Sequence, residues 1–449
     1  MDDPLAAALA ELEAVSPTAT WDDVEHRLLA PGTDADPTSH GHPRPRSRRW
    51  MLVAAAVALV LTGAAAWWGT VDDGTDLDVT DTAAPPRSAF EGWPRGWSTL
   101  DVGPVPAMGI ADLAWTGKVV VVAGGSSAYD GTLQPRAFAF DPSTRTWTEL
   151  PAPPFAPSRL IAADGALVAV GSALNGGVDP PTVWATLRLA DDAWQSHGTV
   201  PEAPALAGYG VASSIGERGT LVWTGERVID AGHGAVLDPA TGTATLLPMP
   251  EDPVAYAHLR ASTPVWNGRQ VVLVGWSDQP GLAWDATGSA WSEFPAPLAS
   301  AESRGVALTD GAPAVVDGDG RIVIVGGRAP DVETGWSARG SAAAYDATTD
   351  RWQPLPDPPA PATTNCPYRL VATAGHAIVV PCDSTYRTGD LLELADDGWR
   401  SIGRPEFDVP CCGGWMLGID DALVFWSTST DTFNDPAAPF VEAAVWRPS

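Results

Sequence analysis

The sequence predicts an all-β propeller of seven four-stranded blades. Three observations predict it. A unit of about 45 residues recurs down the chain from residue 94 onward, the size of one blade. A Trp marks the fourth strand of most copies. The chain opens that region with a fourth strand that no unit precedes, and its last unit stops after a third strand.

The clearest copy runs over residues 112–154. Leu113 to Trp115 is apolar and ends at the turn signal Thr116-Gly117. The run Val119-Val120-Val121-Val122 is continuous and β-branched, as expected of a strand buried on both faces. Gly124-Gly125 ends it. Ala137-Phe138-Ala139-Phe140 reads as the third strand. Asp141-Pro142-Ser143-Thr144 then reads as a turn, with an Asp that bonds its own backbone and a Pro that fixes φ. A fourth strand follows over residues 147–150, and Pro151 stops it.

The anchors recur. Trp115-Thr116-Gly117 returns as Trp223-Thr224-Gly225 and Trp266-Asn267-Gly268, and Asp164-Gly165 and Asp317-Gly318 hold the same turn elsewhere. The second strand returns at 167–170, 271–274, 322–325 and 378–380, and the Asp turn at Asp238, Asp285 and Asp346. Two copies share another form, Leu189-Ala190-Asp191-Asp192 and Leu394-Ala395-Asp396-Asp397. The fourth-strand Trp returns at 147, 194, 291, 352 and 399, with Ala244 in its place once. Trp97-Ser98-Thr99-Leu100 is the orphan fourth strand, and the last unit holds only 423–426 and 443–446 after its first strand. Circular closure resolves both. The first strand completes the last blade and no sheet edge is left open in the ring.

The diglycine after the second strand, the D-P-x-T-x-x-W turn at Asp141 to Trp147 and the trailing Leu-Pro resemble the kelch-repeat family, which includes the propeller domain of galactose oxidase. The resemblance covers residues 94–449 and is strongest in the first and fifth blades. Pro381-Cys382 and Trp426-Ser427 stand where the sixth and seventh would carry Gly-Gly. For these repeat residues it implies blade building.

Ahead of the propeller lie three further segments. Residues 1–49 read as two short helices and a linker ending in Arg44, Arg46, Arg48 and Arg49. Leu5, Leu9 and Leu12 share one helical face. Thr20 and Asp23 form an N-cap signal before Val24, Leu28 and Leu29. Residues 50–68 carry no charge and are long enough to span a bilayer as a helix, with Trp50, Trp67 and Trp68 at its ends. Arginines precede this stretch and Asp72, Asp73, Asp76 and Asp78 follow it. The N-terminus is therefore expected in the cytoplasm and the propeller outside, at the plasma membrane. A cleaved signal peptide is the rival reading, with Ala64-Ala65-Ala66 as the processing site. Residues 69–93 read as an acidic, extended linker. The net charge of −29 argues against nucleic acid, which needs a cationic face.

All four cysteines fall in the last two blades. Cys366 and Cys382 flank the first hairpin of blade six symmetrically, so a disulfide between them is expected. Cys411-Cys412 opens blade seven, as a vicinal disulfide or with one partner exchanging with Cys366. No metal and no cofactor is expected.

A binding face is expected where the irregular connections gather: 126–136, 172–182, 328–340, 383–390, 427–440 and the long approach to blade three, 201–218. Candidate contacts are Tyr129, Asp130, Trp336, Arg339, Tyr386, Arg387 and Phe433. His197, His233, His258 and His376 are scattered, without paired spacing for a metal. Arg159, Arg260, Arg304 and Tyr368 lie near first-strand starts, where a sialidase-type site would need them. Asp317-Gly318-Asp319-Gly320 reads as a turn before a calcium ligand pair.

The expected function is a membrane-anchored extracytoplasmic module that binds a protein or glycan and is not an enzyme. Two alternatives stand beside it. One is a transmembrane sensor whose residues 1–30 bind a cytoplasmic regulator, in the manner of an anti-sigma factor. The other is a carbohydrate-active enzyme of sialidase or galactose oxidase type.

Overall fold

The computed structural model describes residues 88–448 except for segments 107–110, 127–132, 174–180, 205–220, 261–262, 276–279, 288–289, 298–313, 326–327, 330–336, 339–341, 360–368, 374–375, 382–388, 396–397, 408–413 and 430–439. These residues belong to one compact unit, Ala84–Ser449. The segments read above as N-terminal helices and membrane span lie outside the described residues. So do all four cysteines. Among the described residues no helix is long and apolar enough to cross a membrane.

The first strand, Gly96–Leu100 (β1), stands apart from the blade that follows it in sequence. Blade one is Ala111–Trp115, Val120–Ser126, Leu133–Asp141 and Thr146–Leu150 (β2–β5). Blade two is Ala156–Ala163, Ala166–Ser172, Thr182–Arg188 and Gln195–Thr199 (β6–β9). Blade three is Leu221–Trp223, Val228–Asp230, Ala235–Asp238 and Thr243–Leu246 (β10–β13). A short helix, Pro253–Leu259 (α1), precedes blade four, which is Val265–Trp266, Gln270–Leu273, Gly281–Asp285 and Ala290–Phe294 (β14–β17). Blade five is Ala314–Val316, Ile322–Val325, Ala342–Asp346 and Arg351–Leu355 (β18, β19, β22 and β23). Between its second and third strands it inserts the small hairpin Arg328–Ala329 and Ser337–Ala338 (β20 and β21). Blade six is Arg369–Thr373, His376–Val380, Leu391–Ala395 and Gly398–Gly403 (β24–β27). Blade seven is Gly414–Ile419, Ala422–Ser429 and Phe440–Arg447 (β28–β30).

The closure expected from the sequence is present. β1 pairs antiparallel with β30, with Trp97 opposite Trp446 and Ser98 opposite Val445, so the fourth strand of blade seven comes from the start of the domain. The first strands of successive blades touch around a closed circle, from β2 through β6, β10, β14, β18, β24 and β28 back to β2. They line the centre, and the fourth strands form the rim.

The continuous apolar second strands follow from this arrangement. A strand alternates its side chains between two faces, and here both faces meet a neighbouring blade. Val120 and Val122 pack toward blade seven, against Val424, Trp426 and Val445. Val121 and Ala123 pack toward blade two, against Leu160, Leu167 and Ala185. Each of the seven seams holds its own apolar cluster.

The repeated Trp has a second task at the rim. Its indole N–H donates to the carbonyl of the chain leaving the preceding blade: Trp194 to Pro151 at 2.8 Å, Trp352 to Pro295 at 2.8 Å, Trp399 to Pro356 at 2.6 Å, and Trp291 to Pro248. Trp147 donates to Asp101 and Trp97 to Ile402, which covers six of the seven seams. The exception is the seam between blades two and three. The 43-residue spacing that separates Pro151 from Trp194 and Pro248 from Trp291 leads from Pro201 to Ala244. Trp194→Phe keeps the ring and removes the donor, so it should cost about 1 kcal/mol in urea unfolding. Ala244→Trp should recover a similar amount by completing the missing staple.

Two findings differ from the sequence reading. The propeller begins before Pro94. Phe90 and Trp93 are buried in the cluster shared by blades seven and one, and Trp93 donates to the Pro142 carbonyl at 3.0 Å. Arg145 lies over the Trp93 ring and Arg447 holds the Trp93 carbonyl, so residues 88–93 form a clasp across the closing seam. The second is α1, which the sequence reading does not contain. Asp252 caps it, accepting from the amides of Val254 and Ala255, with Pro253 in the first turn.

Candidate functional site

In each blade the four strands run up and down in order. The connections between strands one and two and between three and four therefore share one face of the ring, and all the others share the opposite face. On the first face the described turns are tight, and four of them are sealed by their own Asp. The Asp141 carboxylate accepts the Ser143 amide at 2.9 Å, and Asp238, Asp285 and Asp346 repeat this. Arg145, Gly242 and Asp350, each four residues on from its Asp, take positive φ to close the turn. The opposite face carries the long connections, and it is the candidate site.

Among the described residues of that face, a polar group lies at the seam between blades two and three. It grows from an exception in the repeat. Counting seven residues on from the turn Trp, blades one and four have Val122 and Leu273, both fully buried, and blade three has Asp230, also fully buried. Three residues later His233 stands where blade one has Gly125. The turn 231–234 carries this His between β11 and β12. The Asp230 carboxylate accepts the His233 amide at 3.1 Å and lies 2.8 Å from His233 Nδ1. His233 Nε2 lies 3.0 Å from the Thr182 hydroxyl at the start of β8, across the seam.

Neighbouring elements hold this turn rigidly. The Ala203 amide donates to the His233 carbonyl and the Leu247 amide to the Gly234 carbonyl. From α1, the Tyr256 hydroxyl donates to the Ala231 carbonyl at 2.7 Å, and Arg260 Nη1 donates to the Gly232 carbonyl at 3.0 Å. Arg260 is buried, with Glu202 4.0 Å away. Burial pushes the Tyr256 hydroxyl up and the Arg260 guanidinium down. Burial also pulls His233 down, but the hydrogen bond and charge of Asp230, with Glu202 behind, outweigh it and Arg260, so the imidazole ends above its ordinary value. A hydroxyl, an imidazole and a carboxylate in line can hold a proton. Here they also tie blade two to blade three.

At the wall of the ring, Asp112 in β2 accepts the Leu160 amide of β6 at 2.7 Å, a stitch between two first strands. Burial raises its carboxyl to about 6, against the charge of Arg159 and the amides of Leu113 and Leu160. Arg159 is thus placed beside an Asp, and Arg260 binds a turn. Arg304 and Tyr368 lie outside the described residues, as does the side chain of His258.

The remaining histidines make separate ties. His197 lies 2.8 Å from the Thr186 hydroxyl and against the Trp184 ring. His376 Nδ1 lies 2.8 Å from Glu393, a buried carboxylate that Arg400 also holds. Asp317 spends its carboxylate on its own turn, accepting from the amides of Asp319 and Arg321 and from the Arg321 guanidinium. Among the described residues no group of three or more His, Cys, Asp or Glu side chains is arranged to hold a metal. Tyr129, Asp130, Trp336, Arg339, Tyr386, Arg387 and Phe433 all lie outside the described residues, as do Cys366, Cys382, Cys411 and Cys412.

Fold and face together define the chain as a seven-bladed β-propeller with its long connections on one side. No protein-family model matches the chain, and no curated protein matches it either.

Proposed function

We propose that this chain is a membrane-anchored, extracytoplasmic propeller of kelch type whose irregular face binds a protein or a glycan. One observation carries the reading: a closed, stapled ring gathers its long connections on one side and seals the other with self-bonded Asp turns. Rigid scaffolds with variable loops on one face are where binding commonly resides. The uncharged stretch 50–68 and the arginines before it support a tether with the propeller outside. The clasp at residues 88–93 lies on the sealed face, by the turns around Pro142 and Asp421.

The test is capture from an envelope extract by the full-length chain. Trp336→Ala combined with Tyr386→Ala should lower recovery of specific partners severalfold. Unchanged recovery would count against this face.

A further inference from the structure

One seam departs from the repeat twice. Between blades two and three the rim Trp is replaced by Ala244, and the buried valine or leucine of the second strand is replaced by Asp230. Six seams are closed at the rim by an indole. This one is tied by an imidazole, reaching from Asp230 in blade three to Thr182 in blade two. A carboxylate inside an apolar seam is costly unless paired. The charged groups acting on His233 are Asp230 beside it, Glu202 from the chain leaving blade two, and Arg260 at the end of α1, with Tyr256 of α1 beside Asp230.

We propose that the seam between blades two and three is a proton-set hinge: a charged His233 holds the two blades together at the loop face, and loss of its proton loosens them. A charged ring donates to both Asp230 and Thr182 and places a positive charge between Asp230 and Glu202. A neutral ring that donates to Asp230 can only accept from the Thr182 hydroxyl, and the charge is gone. The folded-state value is raised above the ordinary histidine value of about 6.5. The tie is therefore at full strength below about pH 6.5 and fades as pH rises through the higher folded value. The hinge would regulate the loop face and rests on the binding reading for its use. Its test reads the backbone and needs no ligand, so the two can fail separately.

The test is amide hydrogen exchange on the full-length chain at pH 5.5 and 8.5, corrected for the intrinsic pH dependence of exchange. Protection of Thr182–Arg188 and Val228–Asp230 should be about threefold to tenfold greater at pH 5.5, while Ile322–Val325 in blade five stays level. His233→Gln keeps a donor and an acceptor without a titrating group, and should erase the difference. A pH effect of equal size in His233→Gln overturns the proposal. The wild-type chain alone can also overturn it, by showing no pH effect at this seam or the same effect in blade five.

Discussion

Deleting residues 88–100 abolishes the single cooperative melting transition of the propeller. Two losses combine. β30 loses its partner and becomes an open edge in blade seven. The cluster between blades seven and one loses Phe90, Trp93 and Leu100, each at most 8% exposed. Truncating a buried aromatic costs about 3–5 kcal/mol, and a domain's whole stability is about 5–15 kcal/mol. The deletion thus removes an amount comparable with the total. Calorimetry should show a broad, low transition in place of a sharp one. A deletion variant that melts as sharply and as hot as the full chain would mean that the clasp and β1 lie on the ring without closing it.

The second large effect is expected at Asp230. His233→Gly alone leaves the fully buried Asp230 carboxylate without its imidazole, and should cost about 3–5 kcal/mol. Asp230→Val alone strands His233 beside Arg260 and should cost about 2–3 kcal/mol. Making both changes restores the Val and Gly that blade one carries as Val122 and Gly125. Replacing a buried polar pair by apolar residues is often neutral. The double variant should therefore be more stable than either single one, with a coupling of about 2 kcal/mol or more in urea unfolding. Additive losses would show that the two residues act independently.

The ring was legible because most blades repeat the same three necessities. A second strand buried on both faces must be apolar without alternation, an Asp turn must cap the third strand, and a Trp must reach the blade before it. Those residues are local, so they can be read in order. The seam between blades two and three was half legible. Ala244 in place of Trp is visible by spacing, and so is Asp230 seven residues after Trp223, at the end of an otherwise apolar strand. His233 is hidden among scattered histidines if its partners are sought among other metal ligands. Its neighbour Asp230 is three residues away, and its other partner Thr182 lies 51 residues back, where only the fold brings it close. Asp252-Pro253 is an ordinary helix start that marks α1. Phe90 and Trp93 look like isolated aromatics in an acidic linker. Their burial depends on blades one and seven meeting, which no local pattern announces.

The closing strand can be tested at the level of single residues. In the full-length chain, Ser98→Cys paired with Val445→Cys places two thiols on directly opposed positions of β1 and β30. Oxidation should link them, and peptide mass analysis should recover the joined segments in high yield. Shifting one partner by one residue, Thr99→Cys with Val445→Cys, turns that side chain to the other face and should link poorly. Equal yields from both pairs, or no link from the first, would contradict a ring closed by its own N-terminal strand.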